Sequence, residues 1–388
     1  MNKIDYRARR ERVFAEAGTE LLIISDPSSL SFLTGVELPF TDRIPAHPIA
    51  GVFASGGEAL VAVPYELGEA VKDQGCDGEL DTYDDNDAEP EECLCRSVSD
   101  FLRRRDLTGK LHAGFEANRM TLAVSEGLRR HLPKLSFSEI DEQLAARKMR
   151  KEEAACERLA RAADQLEFGL MGAIQHLEGS QEEEVYTLSE FCERIRVHVY
   201  ERGGTAGGLA GAAAGDGATR LYSLPRGIFR MGGLVRVESS SRFQTYWAVS
   251  SRMLSIGKAN ELQKRSFEEN LRLKHTAAKQ LLPGRKASDV YAAVETAARR
   301  QGIVFRGEYG VGHGIGTAER EEPFLRPSEH IELAAGMCVL VAVYTEGPKR
   351  ELVCSKDSYR IDEGGPVCIS SFHDWSRLYE VTGFRSAH

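Results

Sequence analysis

The chain has 388 residues, 42% of them hydrophobic and 28% charged, an ordinary globular composition with length enough for two cores. Its 59 acidic residues against 50 Lys plus Arg give a formal charge of -9, which argues against a broad nucleic-acid surface. No apolar run approaches the roughly 20 residues that span a bilayer, and the opening MNKIDYRARRERVFAEAGTELLIIS lacks an apolar stretch ending in a small-residue cleavage site. Eight cysteines are scattered, with only Cys93 and Cys95 close together, so free thiols in a reducing cytoplasm are expected.

Residues 6–18 have helical spacing and LLIIS (21–25) reads as an apolar strand. SFLTG (31–35) is expected to be a short strand or turn, and GVFAS and ALVAVP alternate around a Gly-Gly turn as a strand pair. The acidic run DTYDDNDAEPEE (81–92) reads as a solvated connection; its spacing does not fit a calcium loop, which needs a central glycine and a closing glutamate at fixed positions. A long amphipathic helix is expected across the charged stretch 141–177, with the domain boundary near Met149. Further on, 182–204 and 287–307 share a Val-Tyr pair, a helix-length pattern and an exit through glycine, as two copies of one helix-plus-sheet unit would. Two generic amphipathic helices would leave the same trace. The segment GGTAGGLAGAAAGDG (203–217) is neither a P-loop nor a dinucleotide fingerprint, and reads as a close-packed or mobile segment near a pocket.

Four phrases in order carry a family resemblance: DPSSLSFLTG (26–35), ARKMRKEEAACERLARAA (146–163), YGVGHGIGTAEREEP (309–323) and AAGMCVLVAVYTEG (334–347). Together they resemble the creatinase / Xaa-Pro aminopeptidase / methionine aminopeptidase superfamily. The resemblance implies a two-domain α/β (α+β) protein: a creatinase-like domain over 1–148, then a pseudo-symmetric pita-bread domain over 149–388, paired as a homodimer.

Metallopeptidases of that superfamily hold two metal ions with two Asp, one His and two Glu, which activate a water and stabilise anionic intermediates. By resemblance the first aspartate position is Glu238 in GGLVRVE, and the second, eleven residues on, is Val249 in AVSSRM. His313 is kept, and the two glutamate positions fall on Ala342 and Lys356. Val and Ala have no donor atoms and an ammonium repels a dication, so a dinuclear site and any other cofactor are not expected. Creatinase works without metal through a histidine, but its position here is Leu221. Its guanidinium-binding carboxylates become Ser251 and Ala342, which argues against creatine hydrolysis.

Among the remaining polar groups, His313 and Glu238 are the candidate proton carriers, with Glu238 expected to have a raised pKa in an apolar pocket. Phe40 and Arg43 match a region that reaches the neighbouring subunit's pocket in creatinase, and Arg43 and Arg252 are candidates for holding a ligand carboxylate. For Arg252 a buried pairing with Glu238 or Glu322 is an alternative. Tyr222, Trp247 and Tyr344 would supply aromatic walls, while Arg320, Glu322 and Lys356 complete the candidate substrate-binding set. Three functions follow. The leading one is a metal-independent hydrolase or lyase acting on a small, carboxylate-bearing, amino-acid-derived molecule, with a closed pocket and His313 near Glu238. The alternatives are a peptide- or protein-binding member with a surface-connected groove and an internally bonded His313, and a metallopeptidase with rearranged ligands.

Overall fold

The computed structural model describes residues 2–38, 47–179, 186–370 and 372–383. The chain forms two units, Lys3–Lys148 and Met149–His388 with Met1–Asn2. The first contains α1 (Tyr6–Ala17), β1 (Leu21–Ile24), α2 (Pro27–Thr34), β2 (Ala50–Ala54), β3 (Ala59–Pro64), α3 (Tyr65–Gln74), β4 (Glu79–Tyr83), α4 (Pro90–Arg104), β5 (His112–Phe115), α5 (Leu122–His131), β6 (Ser136–Glu139) and α6 (Asp141–Met149). Its six strands are ordered β4-β3-β2-β1-β5-β6, with β1 antiparallel to β2 and parallel to β5. Both faces of the sheet are covered. Leu21 and Ile23 enter one core and Leu22 and Ile24 the other, which is why β1 is apolar throughout.

Two local expectations fail in this unit. SFLTG is not a strand or turn but the end of α2, which Asp26 starts by accepting the Ser29 N–H and Gly35 stops in the left-handed region at φ 76°. The acidic run is not all connection, because residues 81–83 extend β4 and Pro90 opens α4. The long helix is also interrupted. After α6, Arg150 bridges to Met337 and the Lys151 N–H donates to Gly336 O, so tertiary backbone pairing replaces helical bonding before the next helix begins.

The second unit continues with α7 (Glu153–Glu178), α8 (Leu188–Glu201), β7 (Thr205–Ala214), β8 (Leu234–Phe243), β9 (Tyr246–Ile256), α9 (Glu261–Lys279), α10 (Ala287–Gln301), β10 (Gly312–Gly314), β11 (Glu321–Phe324), β12 (Cys338–Glu346), β13 (Leu352–Asp362), β14 (Gly365–Cys368) and β15 (Tyr379–Val381). Its curled sheet runs β11-β10-β12-β13-β9-β8-β7, with β14 beside β13 and β15 beside β9. One helix pair, α7 and α8, shares a core with β7–β9, and α9 and α10 share another with β12 and β13. The helices of the two echoing segments, α8 and α10, each sit in one of these layers; residues 182–185 of the first segment lie outside the described residues. The glycine-rich segment becomes β7, the edge strand of the sheet.

Candidate functional site: an ion pair in an inherited cleft

Strand register decides which side chains meet. Glu238 on β8 pairs with Ser251 on β9, Ser251 with Lys356 on β13, and Lys356 with Ala342 on β12. One row therefore crosses four strands. Side chains alternate along each strand, so Arg236 shares the face of Glu238, and Tyr344 that of Ala342. Ser251 and Lys356 stay in the row, while their neighbours Arg252 and Asp357 turn to the helix-covered side.

His313 reaches this face from the short β10. A Cβ on Gly312 would lie 2.1 Å from Leu340 O, and one on Gly314 would lie 2.1 Å from Glu322 O. Only glycine fits on either side of the histidine, because β11 and β12 close on its backbone. The His313 Nδ1–H donates to Gly314 O at 2.9 Å. A carbonyl only accepts, so this bond fixes the proton on Nδ1 and leaves Nε2 as an acceptor.

Glu238, Val249, His313, Ala342 and Lys356, the five positions aligned with the superfamily's metal ligands, all line one cleft. Leu221, at the position of the creatinase histidine, lines it too. The cleft encloses about 640 Å³, part of it open to solvent, and adjoins a second hollow with which it shares Leu221, Tyr222 and Glu238.

In the cleft Lys356 Nζ lies 3.0 Å from Glu238 Oε2, and Arg236 Nε lies 3.0 Å from Oε1. The Tyr344 hydroxyl donates to Glu238 Oε1 at 3.4 Å. Burial alone would raise the Glu238 pKa, but the Lys356 ammonium and Arg236 guanidinium outweigh it and hold the carboxyl below its ordinary value. The expectation of a raised Glu238 pKa is thus overturned. Its cause was an assumed lack of nearby cations, and the structure supplies two. Lys356 is raised, since the Glu238 carboxylate more than offsets burial. His313 moves the other way, to about 4, through burial reinforced by the positive charges of Arg320 and Lys356 and opposed by its bond to Gly314 O. A histidine ring NMR titration is therefore expected to show His313 neutral at pH 6, with a midpoint of about 4. A midpoint near the ordinary 6.5 would refute the buried, cation-flanked setting.

The structure sorts the candidate residues clearly. Tyr222, Arg320, Tyr344 and Lys356 line the cleft with His313 and Glu238. Arg252 does not. It is buried behind the sheet, 2.9 Å from Asp357 and 3.9 Å from Glu167, over the Trp375 ring. Neither Glu238 nor Glu322 is its ion-pair partner. Trp247 is buried against Arg242 rather than in the cleft wall, and Glu322 sits in β11 before a cis Pro323. Phe40 and Arg43 lie outside the described residues. Sequence reasoning passed over Arg236, Tyr309 and Glu319. Arg236 had a legible signal, standing two residues before Glu238 on the same strand.

The row can be tested directly against a metal centre. Glu238 is already neutralised by two cations, Val249 and Ala342 offer no donor, and an ammonium stands at the fifth position. Among the described residues no group of three or more His, Cys, Asp and Glu side chains could hold a metal ion. The family's dinuclear centre does not fit these residues.

The model of metallopeptidase family M24 matches residues 129–365, and that of the creatinase/prolidase N-terminal domain matches 7–151. The chain belongs to family M24. It is thus a member of a hydrolase family with an altered centre. Among curated M24 relatives, the Xaa-Pro dipeptidase of Pyrococcus horikoshii is 23% identical over 270 residues, 67% of this chain and 73% of that protein. The X-Pro aminopeptidase structure from Thermotoga maritima superposes with a TM-score of 0.83 at 15% identity, covering 96% of this chain and 99% of that one. The N-terminal domain of the FACT complex subunit SPT16 from chickpea has the same fold, with a TM-score of 0.72 at 15% identity over 96% of this chain and 98% of its own. These structural likenesses establish the pita-bread fold. Among the described residues, no helix of this M24 member is long and apolar enough to cross a membrane.

Proposed function

We propose that this M24 member uses its inherited cleft to bind a short peptide or amino-acid-derived molecule bearing a carboxylate, without the metal-assisted hydrolysis of its relatives. The observation that carries this reading is the Lys356–Glu238 ion pair standing in the row of metal-ligand positions. Two further features support it. His313 is bonded internally to Gly314 O, and the cleft opens to the surface, as the binding alternative requires. Lys356, Arg236 and Arg320 outnumber Glu238 and Glu319 around the cleft and its neighbouring hollow, so a ligand carboxylate is favoured there. The exposed Tyr222 offers an aromatic wall at the mouth. A FACT complex subunit with the same fold is consistent with this scaffold serving outside peptidases.

One observation favours a second reading, the metal-independent hydrolase or lyase. Neutral His313 keeps an unprotonated Nε2 and lines the cleft, so it suits the role of a proton acceptor. In that reading Glu238, ionised and held by Lys356, orients and balances charge instead of donating a proton. Homodimer pairing and a cytoplasmic setting belong to the same proposal and rest on the superfamily resemblance and the free thiols.

Calorimetric titration of an Xaa-Pro dipeptide library, with product analysis on the same samples, separates the two. Saturable binding of intact peptides, weakened about tenfold or more by Lys356→Met, supports the binding reading. Turnover lost in His313→Ala supports the hydrolase reading. No binding to any carboxylate-bearing peptide would sink the first.

A further inference from the structure

Outside the cleft, a further hollow of about 920 Å³, part of it open to solvent, lies where the segment between β7 and β8 meets the start of α8 and the β12–β13 turn. It shares no lining residue with the cleft or the hollow beside it. Three cations border it, Arg226, Arg230 and Lys349, and no acidic residue does. None of the three has a side-chain ion pair or hydrogen bond among the described residues. Glu351, the nearest acid along the β12–β13 turn, is buried and accepts the Lys349 backbone N–H at 2.6 Å, so it is committed to the turn. In a chain of formal charge -9, an acid-free group of three cations drawn from two separate segments calls for a counter-charge.

The rest of the wall is apolar. Leu188 is buried at the start of α8, while Ile228 and Met231 remain 38% and 54% exposed. Apolar side chains left open beside a cationic rim are a combination suited to a ligand with both an oxyanion and a hydrophobic body. The glycines help. A Cβ at Gly215 or Gly232 would meet nothing within 4 Å, so the backbone there faces open space.

We propose that this hollow is a second ligand site, taking a small organic oxyanion, a phosphate or carboxylate, attached to an apolar group. The oxyanion sits between Arg226, Arg230 and Lys349, where the guanidinium groups can donate paired hydrogen bonds. The apolar body lies along Ile228 and Met231. This site is independent of the cleft ligand.

The test titrates the full chain with phenyl phosphate, inorganic phosphate and phenylacetate, followed by calorimetry. Saturable binding of phenyl phosphate or phenylacetate below about 1 mM, at least tenfold tighter than inorganic phosphate, is expected. The preferred head group tells phosphate from carboxylate. Arg226→Ala/Arg230→Ala and Arg230→Glu should each weaken binding at least tenfold. Both arginines are exposed and unpartnered, so the variants should unfold at the wild-type temperature. No saturation, equal affinity for inorganic phosphate, or indifference to the arginine variants would each overturn the proposal.

Discussion

Lys356→Met is expected to destabilise the second unit by roughly 3–5 kcal/mol, because it leaves Glu238 in a buried setting with Arg236 as its one cationic partner among the described residues. Glu238→Gln should cost a similar amount by stranding the Lys356 ammonium. The double variant should cost less than the sum, since Lys356 and Glu238 are then removed together and only Arg236, which still donates to the Arg220 and Leu221 carbonyls, loses its carboxylate. Both tryptophans, Trp247 and Trp375, lie in the second unit, so their fluorescence during denaturant unfolding follows it without the first. Additive losses in the three variants would show that the pair is not coupled. A neutral Lys356→Met would remove the ion pair from the account altogether.

Asp357→Asn is expected to cost at least as much. On the hidden side of β13, Asp357 accepts from Arg252 at 2.9 Å and forms a short ion pair with Lys274. Removing its charge leaves two buried cations, of which, among the described residues, only Arg252 has another carboxylate, Glu167, at 3.9 Å. Burial would raise the Asp357 pKa, but Arg252 and Lys274 together hold it below the ordinary value. The sign of the pH effect follows. A carboxyl depressed on folding contributes its full stability above the unfolded value near 3.9, and that contribution fades as the pH falls through the folded value. Glu238 acts in the same direction. Acid titration of the wild type should therefore show a stability loss below about pH 4, and Asp357→Asn should flatten part of that slope. An unchanged acid limb would assign it elsewhere.

Much of this was legible along the chain. The alternating run CVLVAVYTE and the GHG triplet carry enough pattern to place β12 and His313, and the family spacing put Glu238, Val249, Ala342 and Lys356 at positions that the fold does bring together. What was missed has one common physical origin. The function of a strand residue depends on which face it takes, and that depends on register with a partner strand far away in sequence. The sequence leaves Arg252 open between holding a ligand carboxylate and a buried pairing, and the pairing of Ser251 with both Glu238 and Lys356 sends Arg252 to the face away from the cleft. Arg236 was overlooked although the same alternation puts it beside Glu238. The Glu238 pKa was misjudged for the same reason, because Lys356 is 118 residues away in sequence and 3.0 Å away in space.

Local chemistry explains the smaller misses. The Asp26–Pro27 opening and Gly35 stop specify a helix, but the apolar SFL within it also suits a strand. The break between α6 and α7 has no proline or glycine to announce it, since Arg150 and Lys151 leave the helix for backbone partners at Met337 and Gly336.

An internal ion pair, Lys356–Glu238, stands at positions where the family holds its metal centre. Calorimetric titration of Mn²⁺ and Co²⁺ into chelator-treated full-length protein, with elemental analysis after desalting, tests it most directly. No stoichiometric site tighter than about 100 µM is expected, with less than one equivalent of metal retained. One or two equivalents bound at micromolar affinity and lost in His313→Ala or Glu238→Gln would contradict it.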